Sequence, residues 1–281
     1  MVNHNGEILK KESATLSISN RGYAYGDSVF ESIRAINGKL MFWEEHYFRL
    51  MSSMRIMRME IPMSFSLEFL EEEIISLLKE NELQNSAARI RFSVYRKEGG
   101  YYTPATNEIG YIISSEALEE PFYLHKDDFY EVELFKDHYV NSGLLSTLKT
   151  NNKAINVLGS IFAKENNYNN CLLLNENKSV VEALNGNLFL VSGKTIKTPP
   201  LSDGCLKGII RGKLIEIVKK LPEYSLVEES VSPFELQKAD EMFITNVVVG
   251  IQPVTKYRKK EFQTAVSKTL LSRLNTLARL S

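Results

Sequence analysis

The feature that most limits the fold is a crowded series of short strand-like runs in residues 171–198. Cys171–Asn175, Val180–Glu182, Leu188–Val191 and Thr195–Thr198 read as strands. Turn signals separate them at Asn175–Lys178, Asn185-Gly186 and Ser192-Gly193-Lys194, and Pro199-Pro200 ends the series. A sheet of closely spaced short strands is the expected outcome. Just before it, Ile155, Leu158, Ile161 and Phe162 fall roughly on one helical face. That helix begins after Lys153, which the polar Thr150, Asn151 and Asn152 precede.

The first half mixes the two periods. Asn5-Gly6 marks a turn between short strands, and Thr15–Ile18 reads as another strand. Val29–Ile33 alternates and turns back through Asn37-Gly38 to Leu40–Phe42. A helical pattern starts at Trp43 and is broken by Pro62. A second helix, capped by Ser66, buries Leu70, Ile74, Leu77 and Leu78. Strands follow at Arg89–Tyr95 and Ile109–Ser114. The later chain adds a strand at Tyr130–Phe135, a helix after Gly208 and a strand at Glu228–Val231. A short helix over Pro233–Ala239, a buried strand at Met242–Thr245 and a final helix from Ala265 complete the series. The class is α+β with two domains: residues 1–118, a linker at 119–128 containing Pro121, and residues 129–281.

Composition removes several functions. Lysine and arginine number 34 against 35 acidic residues, so no basic excess points to nucleic acid. Two cysteines are too few for a disulfide framework and fit a reducing compartment. The four histidines form no close-spaced ligand set, so no metal site is expected. No run reaches the length of a membrane span, and MVNHNGEILKK lacks a signal-type apolar core. A cytoplasmic protein is expected.

Some polar residues stand where chemistry is carried. Lys153, at the mouth of a helix, either faces water or, pushed inward, loses its proton and attacks a carbonyl. Glu31 in a strand needs a partner, most simply a nearby arginine. Arg49, between Phe48 and Leu50, either snorkels outward or reaches an anion. Arg89, Arg91, Ser93 and Tyr95 share a strand face. The helix after Gly208 opens on Ile209 and Ile210 rather than on an acidic residue, so its amides are available to a phosphate. Residues following the Met242–Thr245 strand stand where loops reach active sites. Lys153, the carboxylate of Glu182, Arg49 and this helix end are together what pyridoxal 5'-phosphate requires: an amine for its aldehyde, a carboxylate for its ring nitrogen, and cations and amides for its phosphate.

From Arg21 to about Val254 the sequence resembles the class IV pyridoxal-phosphate enzymes, the group of branched-chain aminotransferases, D-amino-acid aminotransferases and aminodeoxychorismate lyases. The matching stretches are RGYAYGDSVFESIR with HYFRL, KAINVLGSIFAKE, VEALNGNLF, LKGIIR and ADEMFITNVVVGIQPV. The resemblance implies the fold-type IV architecture, with a small N-terminal domain and a larger one built on a barrel-like sheet. It implies Lys153, rather than Lys149, as the Schiff-base residue and Glu182 as partner of the ring nitrogen. Arg49, Asn246, Val247 and the Ile209 and Ile210 amides would hold the cofactor, with Leu206 against its ring. Phe30, Arg91, Tyr95 and Val248 would meet substrate.

The implied reaction moves an amino group between an apolar, branched-chain-like L-amino acid and a 2-oxo acid such as 2-oxoglutarate. The alternative is aminodeoxychorismate lyase, releasing pyruvate and 4-aminobenzoate. A homodimer is implied as well. The chain departs from the family pattern at Ala183, where glycine is usual, at Val247, where aminotransferases often have threonine, and at Leu158, where branched-chain enzymes have tyrosine. The loop GGYYTP lacks the Arg-x-His carboxylate trap of the D-amino-acid enzymes.

Overall fold

The computed structural model describes residues 1–280. The chain divides into two compact units, residues 1–122 with 149–152, and residues 123–148 with 153–280. The second unit begins at Tyr123, and the short stretch 149–152 returns to the first.

The first unit holds β1 (Val2–His4), β2 (Glu7–Leu9), α1 (Arg21–Tyr25), β3 (Ser28–Ile36), β4 (Lys39–Leu40), α2 (Trp43–Ile56), α3 (Leu67–Glu80), β5 (Ala87–Arg96) and β6 (Ile109–Leu118). Its six strands run in the order β2-β1-β6-β5-β3-β4. Two hairpins turn through Asn-Gly pairs with positive φ, Asn5 and Gly6 at 55° and 91°, Asn37 and Gly38 at 49° and 74°. This is the turn whose twist matches paired strands. The Ser66 hydroxyl accepts the Phe69 amide at 3.1 Å and caps α3. One sheet face, with Ile33, Ile90, Phe92 and Ile113, packs with Met54 of α2 and Leu70 and Ile74 of α3. Phe30, Arg91, Ser93 and Tyr95 point to the opposite face, because side chains alternate along a strand.

The second unit holds β7 (Glu131–Val140), α4 (Ala154–Glu165), β8 (Asn170–Asn175), β9 (Val180–Ala183), β10 (Gly186–Ser192), β11 (Thr195–Thr198), α5 (Ile209–Lys219), β12 (Ser225–Glu228), β13 (Glu241–Asn246), β14 (Gly250–Val254), β15 (Lys256–Tyr257), β16 (Lys260–Glu261) and α6 (Ala265–Leu280). They build a ten-stranded sheet in which β10 carries a branch through β13 to β14. β7 and β8 run parallel and are joined through α4; β11 and β12 run parallel and are joined through α5. Each of these helices therefore starts beyond the carboxyl end of a strand, where α/β units present ligand sites.

Several elements differ from the sequence expectation. Thr15–Ile18 forms no strand, since it finds no partner, and Leu16 and Ile18 are exposed. Pro233–Ala239 is a chain of turns, although Leu236 and Ala239 are buried at helical spacing. The strand expected at Glu228–Val231 lies earlier, at β12, and Val231 makes only an isolated bridge to Val180. β14 contains Pro253, which is tolerated because this strand pairs only with β13.

The largest difference concerns α4. Its buried positions are Gly159 and Ala163, with Ile155 and Phe162 packed alongside, whereas Leu158 and Ile161 face outward. Gly159 permits this orientation. A Cβ there would stand 2.4 Å from Leu184 Cδ2 and 3.4 Å from Phe135 Cδ1. The tip of Leu184 can swing from a single methyl, but the branches of Gly159→Val reach further, toward the buried Phe135 ring, and are expected to lower the urea midpoint through overpacking of about 1–3 kcal/mol. An unchanged or higher midpoint would contradict the close approach.

Candidate active site

Sheet register builds the site in the second unit. Leu173 faces Glu182, Glu182 faces Asn187, and Asn187 faces Thr245 across successive antiparallel pairs. Directly opposed residues share a face, so these four form one row across β8, β9, β10 and β13. Leu173 packs in the cluster that receives α4, which puts the row on the α4 side of the sheet.

The Glu182 carboxylate is buried, and its Oε2 accepts the Leu206 amide at 2.9 Å. The Asn187 side-chain amide donates to the Leu206 carbonyl at 2.8 Å and reaches the same Glu182 oxygen at 3.5 Å. The β9–β10 turn gathers further pieces. Asn156 of α4 donates to the Leu184 carbonyl at 2.7 Å, and Asn246 donates to the Asn185 carbonyl at 3.1 Å.

Lys153 occupies the N-cap position of α4 and is half-buried. It makes no ion pair or side-chain hydrogen bond among the described residues, so its amine is not committed to the fold. The loop after β13 is shaped by Asn246, whose side-chain oxygen accepts the amides of Val248 and Val249 at 2.9 and 3.1 Å. Tyr123 donates its hydroxyl to the Val247 carbonyl at 3.0 Å. Its ring lies within 2.6 Å of where a Cβ on Gly250 would be, so a side chain at 250 would displace it.

Three features fit pyridoxal 5'-phosphate. α5 opens at Gly208 with no side-chain cap and no acidic residue in its first turn, so its amides and dipole are open to an anion. Thr245 Oγ1 is buried without a partner on the face that holds Glu182 and Asn187. Glu182 is already oriented by a backbone amide, as a carboxylate serving a protonated ring nitrogen requires. Cys205 beside this segment is buried, and burial pushes its thiol up to about 12, which leaves it unreactive.

The remaining candidates lie in the first unit. Glu31 points into the core between β3 and α2. Its carboxylate takes Arg49 Nε at 2.8 Å and His46 Nδ1 at 2.7 Å. Of the two fates open to Arg49, reaching an anion is the one realised, and Glu31 is an anion it reaches. Burial would raise the Glu31 carboxyl, but the Arg49 charge and the bonds from His46 and Arg49 hold it at about 2. Burial lowers the His46 pKa although Glu31 acts against it, so the ring is neutral.

On the other sheet face the Arg91 guanidinium lies 3.8 Å from the centre of the Phe30 ring and donates to Asn151 at 2.9 Å. Lys149 sits 4.6 Å from the same ring centre. Arg91 has its pKa lowered by burial and then by Arg89, whose own carboxylate partner is Glu116. A recess of about 340 Å³ is lined by Arg91, Tyr95, Ser93, Ser28, Ile112 and Leu16, among others. Phe30 is buried beneath the two cations rather than open to the recess.

The sequence points to the lysine, the carboxylate and the helix end, but not to Asn187, Thr245, Asn156 or Tyr123. Asn187 lies inside the VEALNGNLF stretch, yet only the register shows that it faces Glu182. No cluster of three or more His, Cys, Asp or Glu able to hold a metal occurs among the described residues. No helix there is long and apolar enough to cross a membrane.

Residues 28–257 match the family model described as amino-transferase class IV. A Methanocaldococcus jannaschii protein, named provisionally as a branched-chain-amino-acid aminotransferase, is 31% identical over 89% of this chain and 85% of its own length. The crystal structure of Escherichia coli branched-chain amino acid aminotransferase superposes with a TM-score of 0.88 at 23% identity, covering 99% of this chain and 94% of the other. That of 4-amino-4-deoxychorismate lyase from Pseudomonas aeruginosa gives 0.82 at 26% identity, covering 98% of each chain.

Glu31 sets a pH dependence. Its folded pKa of about 2 lies below the ordinary 4.5, so the stability it contributes is complete above pH 4.5 and is lost as pH falls toward 2. His46, also depressed, begins to oppose folding below its ordinary 6.5. Glu31→Gln should destabilise by about 3–5 kcal/mol at pH 7, because it removes the buried charge that Arg49 and His46 both meet, and should flatten the acid limb of stability against pH. Denaturant titration from pH 7 to pH 3 reads both. An unaltered acid limb would contradict this role.

Proposed function

The chain belongs to the class IV amino-transferase family, and on that premise we propose that it moves an amino group between an apolar, branched-chain-like L-amino acid and a 2-oxo acid such as 2-oxoglutarate, with pyridoxal 5'-phosphate bound through Lys153. When bound, the cofactor supplies an aldehyde for an amine and a ring that withdraws electrons from the substrate's α carbon. The observation that carries the reading is the hydrogen-bonded set in the second unit. Glu182, Leu206 and Asn187 are bonded to one another, and the helix of Lys153 is bonded to the adjacent turn.

Each residue then has a task. Lys153 would hold the cofactor's aldehyde through its amine and, with that amine free, would take the substrate's α proton and return it to the cofactor carbon that had carried the aldehyde. Glu182 keeps a proton on the ring nitrogen. Leu206 packs on the ring. The Ile209 and Ile210 amides take phosphate oxygens, with the Asn246–Val247 loop adding donors. Tyr95, which lines the recess beside Arg91, favours an apolar side chain, whereas Phe30, covered by Arg91 and Lys149, supports those cations instead of meeting substrate. Arg91, which has no carboxylate partner among the described residues, takes the distal carboxylate of 2-oxoglutarate.

A second reading is release of pyruvate and 4-aminobenzoate from 4-amino-4-deoxychorismate. Val247 favours it, since that position has no hydroxyl to offer phosphate. Supplying leucine with 2-oxoglutarate, and separately 4-amino-4-deoxychorismate, to cofactor-loaded protein distinguishes the two. We expect glutamate formation, and Lys153→Ala should reduce it by at least about a thousandfold. Formation of 4-aminobenzoate without glutamate would select the second reading, and neither product would reject both.

A homodimer accounts for the outer face of α4. Val157, Leu158 and Ile161 are 56%, 43% and 48% exposed, an apolar stripe that water does not favour. Light scattering at micromolar concentration should give a dimer for the native chain and a shift toward monomer for Ile161→Asp. A native monomer, or an unshifted variant, would reject this surface.

A further inference from the structure

We propose that Asn187 is a positioning residue that fixes the spacing between the Glu182 carboxylate and the N-terminus of α5, and thereby the fit of a cofactor held at both. The inference rests on the cofactor reading above. Asn187 is 3% exposed, and its amide is constrained at both ends. The nitrogen donates to the Leu206 carbonyl at 2.8 Å and lies 3.5 Å from Glu182 Oε2. Leu206 in turn gives its amide to that same carboxylate oxygen at 2.9 Å. The oxygen of Asn187 lies against Gly208, the N-cap of α5, where a Cβ would come within 2.0 Å of it.

One side chain therefore ties β9, β10 and the entry to α5 together. Its two ends differ in chemistry, so the amide cannot be flipped without losing both contacts. A donor beside Glu182 also favours the ionised carboxylate, the form that can hold a proton on a ring nitrogen. An apolar residue at 187 would leave the Leu206 carbonyl without this partner and Glu182 with less support. Glycine at 208 has the same explanation. Any side chain there pushes the Asn187 oxygen away, so substitution at 208 should reproduce the lesion made at 187.

The test is a double-mutant cycle read by fluorescence titration of the cofactor-free protein with pyridoxal 5'-phosphate. Asn187→Ala and Gly208→Ala should each weaken binding about tenfold, the scale of one well-formed hydrogen bond. The double variant should bind within about threefold of the weaker single variant, because the added methyl then meets no oxygen. The pH midpoint of the visible absorbance band of the loaded protein should rise in Asn187→Ala, since a less supported carboxylate makes the ring less electron-poor. Full affinity in either single variant, a multiplicative loss of about a hundredfold in the double variant, or an unmoved midpoint would each overturn the proposal. If Asn187→Ala does not fold, Gly208→Ala alone decides it by the same two readouts. A native protein that does not bind the cofactor would fail the underlying reading and this one together; native binding with unaffected variants would fail this one only.

Discussion

The arrangement of the second unit depends on the hydrogen bonds collected by the β9–β10 hairpin. Its turn exposes two backbone carbonyls, and each is taken by a side-chain amide from a different part of the chain. Asn156 brings α4 to Leu184, and Asn246 brings the loop after β13 to Asn185. Two residues before Leu184, Glu182 takes the Leu206 amide and so holds the segment leading into α5. A buried polar group left unpaired costs about 1–3 kcal/mol. Moving α4 or the segment before α5 would therefore break a part-buried bond, whereas water can replace the exposed Asn246–Asn185 bond. The helix that Lys153 opens, the carboxylate and the uncapped helix end are thus all bonded to one short hairpin.

The first unit solves a different problem, that of keeping charge inside. Glu31 lies on the sheet face that packs against α2 and survives there because Arg49 and His46 meet it. Asp27 similarly lies between Arg21 and Arg96, each at 2.9 Å. Arg21 then donates to the Tyr101 carbonyl at 2.6 Å and Arg96 to the Met57 carbonyl at 2.6 Å, so these charges anchor loops as well as one another. Residues 149–152 are fastened to β3 through backbone bonds, Lys149 carbonyl to Phe30 amide and Asn151 amide to Ser28 carbonyl. The chain then enters the second unit at Lys153, so the backbone just before that lysine is held in place by β3.

Much of this was legible in the residues. The strand series after position 171, the Asn-Gly hairpins, the Ser66 cap and the uncapped opening of α5 all follow from local chemistry, and each element formed near its expected place. What failed had a common cause. The apolar spacing of Leu158 and Ile161 looks the same whether a helix faces its own core or some other surface, and only Gly159 against Leu184 reveals which way α4 turns. The return of residues 149–152 to the first unit leaves no compositional mark, because it rests on backbone bonds. Arg49 offered two fates until the fold brought Glu31 beside it, and Asn187 became visible only through strand register.

The account stands on Lys153 being the residue that binds the cofactor covalently. Its position at the mouth of α4, its half-burial and its lack of a charged partner among the described residues suit that task, whereas Lys149 is engaged with the Phe30 ring. Borohydride reduction of the cofactor-loaded protein, followed by peptide mass mapping, tests this most directly. The account predicts a single phosphopyridoxyl adduct on the peptide containing Lys153, at that residue. An adduct on Lys149 or Lys207, or none in cofactor-saturated protein, would contradict it.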